Sequence, residues 1–505
     1  MLRLLVCAAI VSGVIFTTAA ASASFTFDVR RFHARCDGRT DDTAAIQAAE
    51  SAAARTGGGT VAIPRGKCVI STGIAWDSNV WLRGAGINAS TLVAASNFGF
   101  DPSRVRRGND GQYIGMVWLD GPSQSGPLRN VTISDIGFDP RAGTQSFSLS
   151  SIGTFHCIIG YLRPLQHFRV ENVRFELGAN SRPYFGINIG PKGFIGFNDY
   201  SIGIDPMNPS YDLYFHHIVS RNGSGTIQLA LEATTRNGVT STAHDIRIDD
   251  VETTVDQNNV DDDRVVIDGV SHPAAGQLGR IFNVSISNVT ASVADSVSVG
   301  TVNAVKINPA TDTIVSHVRI NNIRYRGSRY GNYGAPLGAG SKNGSGTPLS
   351  LLANVPNGFV RDVQVNNITA VNSTGILVGV GAEPGANVDT VLRNITLVNC
   401  YAGGAAIDFA ATSPATGSDR LLLQNFRVSA SQTALSAWPA PIGVYFLPHA
   451  GGAGLRGAVQ ISNGSISGYP HPVTVLPGFD GLEMRSVRWN GGAPLLRSAV
   501  HVSAL

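Results

Sequence analysis

Charge is scarce in this chain. Only 14% of the 505 residues are charged, and they sum to a formal net charge of +3. Nothing therefore compels a nucleic-acid or membrane-surface partner, although an anionic polymer remains compatible. Long apolar runs are lacking too. The one near the N-terminus, Leu4 to Ile15, is too short to span a bilayer comfortably. It follows Arg3 and precedes Ala21-Ser22-Ala23, the form of a signal peptide over 1–23 with a small-x-small cleavage site. The expected mature chain starts at Ser24, is secreted or periplasmic, and is not inserted in a membrane. Cysteines number only five, and Cys7 leaves with that signal. Cys36, Cys68, Cys157 and Cys400 remain, an even set in a compartment where disulfides persist. Cys36 and Cys68 flank one element and are the expected pair; Cys157 and Cys400 suit buried thiols equally well.

What is plentiful is glycine, at 58 residues, and a short alternating pattern. In Phe282-Asn283-Val284-Ser285-Ile286-Ser287-Asn288-Val289-Thr290, apolar and polar residues alternate and asparagines punctuate the run. Near-copies recur at 128–139, 168–175, 245–251, 315–324, 360–369, 392–401, 422–428 and 458–465, with a weaker one at 211–217. Aligned on a closing polar residue, these copies put Asp135, Asn172, Asp250, Asn288, Asn322, Asn367, Asn399, Asn425 and Asn463 in one column. Each unit offers one apolar face that it cannot bury alone, so the units stack and share a core. The expected fold is all-β, a single-stranded right-handed parallel β-helix with Val284 and Ile286 inward and Asn288 at a corner. Stacked asparagines there can hydrogen-bond from rung to rung.

The N-terminal part reads differently. Thr40, Asp41 and Asp42 offer N-caps to an Ala-rich helix over 43–55, and Gly57-Gly58-Gly59 stops it before a strand. The carboxylates here read as caps and not as catalysts, so Asp42→Asn is expected to cost about 1 kcal/mol or less. The domain reading is a cap over 24–75 and a β-helix with its own C-terminal cap over 76–505.

The run Asp37-Gly38-Arg39-Thr40-Asp41-Asp42-Thr43, continued by Ala45-Ile46-Gln47-Ala48-Ala49 and then Gly57-Gly58-Gly59-Thr60-Val61 with Pro64-Arg65-Gly66, resembles the N-terminal cap of the pectate-lyase-like superfamily. Trp81-Leu82-Arg83-Gly84-Ala85-Gly86 resembles its first rung. The resemblance implies the β-helix over most of the chain; for the reaction it is permissive, since this scaffold carries hydrolysis, elimination, epimerisation and plain binding.

Two stretches carry the candidate chemistry. In the acidic run Asp261-Asp262-Asp263, which leads into Arg264-Val265-Val266-Ile267, an extended chain sets Asp261 and Asp263 about 6.6 to 6.8 Å apart on one face. That falls within the roughly 6.5 to 9.5 Å between the carboxyls of inverting glycosidases. Asp262-Asp263-Arg264-Val265-Val266-Ile267 also resembles the Asp-Asp-Cys-x-x-Ile motif of polygalacturonases, and Asn303-Ala304-Val305-Lys306-Ile307-Asn308 their Asn-Gly-Val-Arg-Ile-Lys motif. His272 lies between them, where that family has Gly-His-Gly; here Ser271 and Pro273 flank it, and no Asn-Thr-Asp occurs. The resemblance implies Asp262 and Asp263 as acid and base, His272 as their helper and Lys306 as a substrate contact, with Asp261 and Arg264 as neighbouring substrate-binding candidates. Another register uses Asp249-Asp250. The second stretch, 182–217, gathers Lys192, Asp199, Tyr200, Asp205, Tyr211, His216 and His217 with Phe194 and Phe197, which suit the loop's own small core or a sugar platform.

The functional expectation is an inverting glycoside hydrolase on a uronate-containing polysaccharide, monomeric or homotrimeric, with no metal or other cofactor. In a lyase on the same scaffold, Ca²⁺ or another cation neutralises the uronate while a Lys, His or Tyr takes the C5 proton. A non-catalytic β-helix for polysaccharide binding or adhesion is the remaining alternative.

Overall fold

The computed structural model describes residues 25–99, 106–108, 111–119, 126–141, 145, 154–160, 163–178, 184–189, 209–236, 239–240, 242–257, 262–272, 279–297, 302–309, 313–328, 346–352, 358–379, 386–400, 405–410, 420–431, 442–447, 458–475, 482–496 and 500–503. The proposed signal peptide therefore lies outside the described residues. Among those described, no helix is long and apolar enough to cross a membrane.

Long and short strands alternate along the chain. The long ones include Leu128–Asp139, Leu165–Gly178, Ser210–Asn222, Thr242–Val255, Gly279–Val293, Thr313–Arg326, Phe359–Val371 and Ala386–Val398. Each pairs in parallel with the next long strand, as Val284 with Val318 and Ile286 with Ile320. Between them run short strands such as Gly225–Arg236, Asp262–His272, Val302–Asn308, Leu349–Leu351, Ile376–Val378, Ala405–Ala410 and Ile442–Leu447, which pair parallel among themselves in a second sheet. One coil is thus a long strand plus a short one, and the stack of coils is a right-handed parallel β-helix. Val284 and Ile286 are buried in its continuous core, as the alternation predicts.

The long strands bend at residues with left-handed backbone. These come in pairs five apart: Asn130 and Asp135, His167 and Asn172, Asp212 and His217, Asp245 and Asp250, Asn283 and Asn288, His317 and Asn322, Asp362 and Asn367, Asp389 and Asn394. Positive φ is strained for most residues but tolerable for Asn and Asp, whose short polar side chains bond locally. Here they also bond along the stack. Asn172 Nδ2 donates to Asp135 Oδ1 at 2.6 Å, Asn322 Nδ2 to Asn288 Oδ1 at 2.6 Å, and Asn394 Nδ2 to Asn367 Oδ1 at 3.2 Å. The column read from sequence needs one correction: Asn394 stands above Asn367 and below Asn425, and Asn399 belongs to a further bend five residues on. Two asparagines in one repeat unit satisfy the same pattern, and only register separates them.

The helix Thr43–Arg55 closes the N-terminal end, burying Ile46, Ala49 and Ala53 against the first coils. It also satisfies an open sheet edge. Gln47 Oε1 accepts from Ala75 N at 2.9 Å and Glu50 Oε1 from Asp77 N at 3.0 Å. The first short strand, Ile74–Ala75, already pairs with Gly111–Trp118, so the stack begins inside the 24–75 segment read as a cap. Asp42 is the residue before the helix, but its side chain is not the cap. Its carboxylate accepts from Arg35 N at 2.7 Å and Cys36 N at 3.0 Å, while Asp41 Oδ1 accepts from Thr43 N. An amide has one acceptor oxygen for those two donors, so the mild cost expected for Asp42→Asn does not hold. Cys36 and Cys68 are joined by a disulfide, and Cys157 and Cys400 are buried free thiols.

Two outcomes follow from this packing. Ile286→Asp places an unpaired carboxylate in the core and is expected to cost more than about 4 kcal/mol, read as a lost or strongly lowered melting transition. Glu50 is buried, and burial followed by the nearby Asp77 charge raises its carboxyl to about 7. A raised carboxyl stabilises the fold fully below its ordinary value of 4.5 and loses that contribution as pH climbs through about 7. Glu50→Gln should flatten the fall in melting temperature across this window; an unchanged profile would contradict the assignment.

Candidate active site

Side chains between two core-facing columns of the short-strand sheet point out of the solenoid. That outward column runs Gln228, Val266, Lys306, Ser350, Leu377, Asp408, Tyr445 and Thr474, one residue per coil. Val266 and Leu377 in it are buried yet stand apart from the core cluster, so the face is itself covered along part of its length.

The sequence-predicted residues converge on this face in part. Lys306 Nζ donates to Asp263 Oδ2 at 2.8 Å, and Asn303 Nδ2 donates to Asp263 Oδ1 at 2.6 Å. Asn303 is fixed from the next coil, where Thr347 N and Thr347 Oγ1 donate to its Oδ1 at 3.0 and 2.7 Å. Further along the same strand Asp268 is buried and accepts from Asn308 Nδ2 at 3.1 Å. The pairing of the two motifs follows from register, since Asp263 sits beside Asn303 and Val266 beside Lys306. With side chains 20% and 18% exposed, Lys306 and Asp263 attract each other at reduced dielectric while retaining an open side.

Arg264 goes elsewhere. It is fully buried, and its guanidinium donates to Asn222 O and Gly223 O at 2.8 Å each, closing the bend of the preceding coil. It has no surface to offer a sugar, which corrects its expected role as a substrate-binding residue. Asp261 lies outside the described residues. Asp262 and His272 open and close the strand Asp262–His272, beside Val302 and Thr234, with side chains outside the described set.

The alternative pair Asp249-Asp250 is on the long-strand side. Asp249 accepts from Ser287 Oγ at 2.6 Å and Asn288 Nδ2 at 2.8 Å; burial pushes its carboxyl up, and these bonds with the His216 and Arg247 charges carry it below the ordinary value. Asp250 sits at a bend against His217 Nδ1 at 2.8 Å. Both serve the stack. Adjacent His216 and His217 do not face opposite ways as in a flat strand, because the bend falls at His217; each ring pairs with its own aspartate. Beside them Tyr214 lies between the guanidinium groups of Arg169 and Arg247, 5.5 and 5.1 Å from the ring centre. Lys192, Phe194, Phe197, Asp199, Tyr200 and Asp205 lie outside the described residues. Sequence reasoning missed Asn303 as the partner of Asp263, and it missed Asp268 and Asp408; a lone carboxyl inside an apolar strand, as in Ala405-Ala406-Ile407-Asp408-Phe409, is the signal that was present.

Cys36, Asp42 and Cys68 come within 4.8 Å of one another, the only such group of metal-ligand types among the described residues. Its two sulfurs are bonded to each other, so it offers no thiolate to a metal.

The chain is thus a repeat protein of the parallel β-helix class, with a mostly polar, partly covered strip on its short-strand sheet. The model of the family described as rhamnogalacturonase A/epimerase, pectate lyase-like, matches residues 26–279, and the chain belongs to that family. Mannuronan C5-epimerase AlgE3 of Azotobacter vinelandii is 30% identical over 252 residues, covering 41% of this chain and 14% of that protein. Alginate lyase 7 of the same organism is 36% identical over 160 residues, 24% of this chain and 19% of its own length. The chain thus spans less than a fifth of each of these two relatives. Among solved structures, the A-module of Azotobacter vinelandii mannuronan C-5 epimerase AlgE4 aligns over 94% of this chain and 99% of its own, at 14% identity and a TM-score of 0.39. The family match stops at residue 279, before Asn303 and Lys306.

The pair can be tested by itself. Lys306→Met and Asp263→Asn should each destabilise the chain, and the double variant should lose less than the sum by about 1 to 3 kcal/mol in urea unfolding, since each single change strands a half-buried partner. Strict additivity would show that the ion pair does not form.

Proposed function

We propose that this chain is an exported enzyme acting on a uronate polysaccharide by chemistry at C5, either elimination or epimerisation, and not by hydrolysis. The observation that carries this reading is the Asp263 carboxylate held between Asn303 Nδ2 and Lys306 Nζ. Both of its oxygens accept, which suits a carboxylate and not the protonated form that a general acid must present to a leaving oxygen. Of the two roles expected for Asp262 and Asp263 in hydrolysis, acid and base, the acid role is thereby weakened for Asp263. The same arrangement fixes an ammonium group on the outward face, where it can neutralise a sugar carboxylate and so make the adjacent C5 proton easier to remove. The family's description includes an epimerase, and mannuronan C5-epimerases and an alginate lyase are among the relatives. Export is supported by the N-terminal apolar run and by the disulfide, a bond typical of oxidising compartments.

Polymannuronate and polygalacturonate incubated with the protein in D₂O separate the reactions. Elimination gives unsaturated-uronate absorbance with new reducing ends; epimerisation gives deuterium at C5 with the chain length kept. Either is expected, with a loss of at least about a hundredfold in Lys306→Ala. Reducing ends alone would establish hydrolysis and overturn the C5 reading. Binding without any product would mark a non-catalytic polysaccharide-binding β-helix.

A further inference from the structure

Along the outward column, three coils beyond Lys306, stands a carboxyl group that the site above does not use. Asp408 lies beside Leu377 of the preceding coil and Tyr445 of the following one, and Tyr445 lies beside Thr474. Among the described residues Asp408 Oδ1 is buried without a hydrogen-bond partner, and so is Thr474 Oγ1, in a residue only 3% exposed. Leaving such atoms unmet costs about 1 to 3 kcal/mol each, so native proteins normally reserve them for water or a ligand. Successive coils are about 4.8 Å apart, which sets three hydroxyl-bearing groups in a row.

We propose that Asp408, Tyr445 and Thr474 form a hydrogen-bonding subsite for the carboxylate of one uronate residue, on the same face as Asp263 and Lys306. This rests on the polysaccharide reading above and adds to it a second point of attachment. A carboxylate has only acceptors, so it needs donors, and this row offers the acid form of Asp408 with the two hydroxyl groups. The strand Ala405–Ala410 has no other titratable side chain and Ile376–Val378 has none; Tyr445 is the only titratable group on Ile442–Leu447. Burial accordingly raises Asp408 to about 7, and burial followed by the Asp408 charge raises Tyr445. Below that point Asp408 donates; above it, the ionised group repels the sugar carboxylate. A carboxylic acid kept neutral so that it can donate is an established device in buried sites.

The test is calorimetric titration of the full chain with polymannuronate and polygalacturonate oligomers at pH 6 and pH 8. If only the acid form binds, affinity falls about tenfold between the two values. Asp408→Asn keeps a neutral donor and should bind equally at both, more tightly than the unaltered chain at pH 8. Tyr445→Phe should weaken binding at both values and keep the slope. The same protonation is visible without ligand, because the contribution of Asp408 to stability is full below the ordinary value of 3.8 and is lost as pH rises through about 7, a loss absent in Asp408→Asn. Affinity that is flat with pH, or a slope that persists in Asp408→Asn, overturns the subsite while leaving the polysaccharide reading intact. No binding of either oligomer at either pH overturns both.

Discussion

Everything in this molecule depends on each coil turning at the same places as the coil beneath it. The turn is made by a residue in the left-handed region, a conformation that costs most side chains about 1 to 2 kcal/mol. Asn, Asp and His occupy it here and return part of that cost by bonding to the equivalent residue one coil away, as Asn322 does to Asn288. Because two such bends stand five residues apart, the four residues between them alternate in and out without slipping. Val284 and Ile286 are therefore committed to the core, with Ser285 and Ser287 outside. A slip by one residue would bury the serines and expose the core, which is why the register is strongly specified.

That constraint also explains what could be read in advance. Val284, Ile286 and Asn288 sit in a run whose period is local, so their placement was legible from nine residues. The assignment of Asn399 went astray because the unit 392–401 holds two asparagines, Asn394 and Asn399, and the choice between them is made by Asn367 in another coil. Arg264 illustrates the same limit. Its partners are carbonyls of Asn222 and Gly223, about forty residues earlier in the chain, in a coil separated by insertions of irregular length. The neighbourhood of Asp263 was half legible: the motif resemblance named Lys306, and the geometry added Asn303 and Asp268. At Asp42 the residue type was read correctly as a satisfier of backbone N–H groups; the donors are those of Arg35 and Cys36, brought round by a turn the pattern does not encode.

Fold and chemistry divide the chain's residues between two sheets. Aspartates on the long strands are consumed by the stack, as Asp135, Asp245 and Asp249 are by asparagine amides of the next coil. Among the described residues those on the short strands differ in their partners: Asp263 and Asp268 accept from asparagine amides of the next coil, while Asp408 Oδ1 is buried without a hydrogen-bond partner. Asp263 faces a lysine, whereas Asp408 faces an apolar neighbour and a phenol. Identical side chains thus meet different surroundings: Asp263 accepts on both oxygens, while burial raises the Asp408 carboxyl to about 7.

The coil repeat gives the outward face a graduated scale. Lys306 and Asp408 are separated by three steps, through Ser350 and Leu377, or about 14 Å at the spacing of paired strands. Side chains at these positions cannot drift closer or farther by fractions of a step, because every coil is pinned to its neighbours at the bends. Removing or adding one whole coil would change the interval by a single unit of about 4.8 Å and leave the rest of the stack in phase. Such a scaffold works as a ruler with fixed divisions, against which a polymer of regular repeat either falls into step or does not.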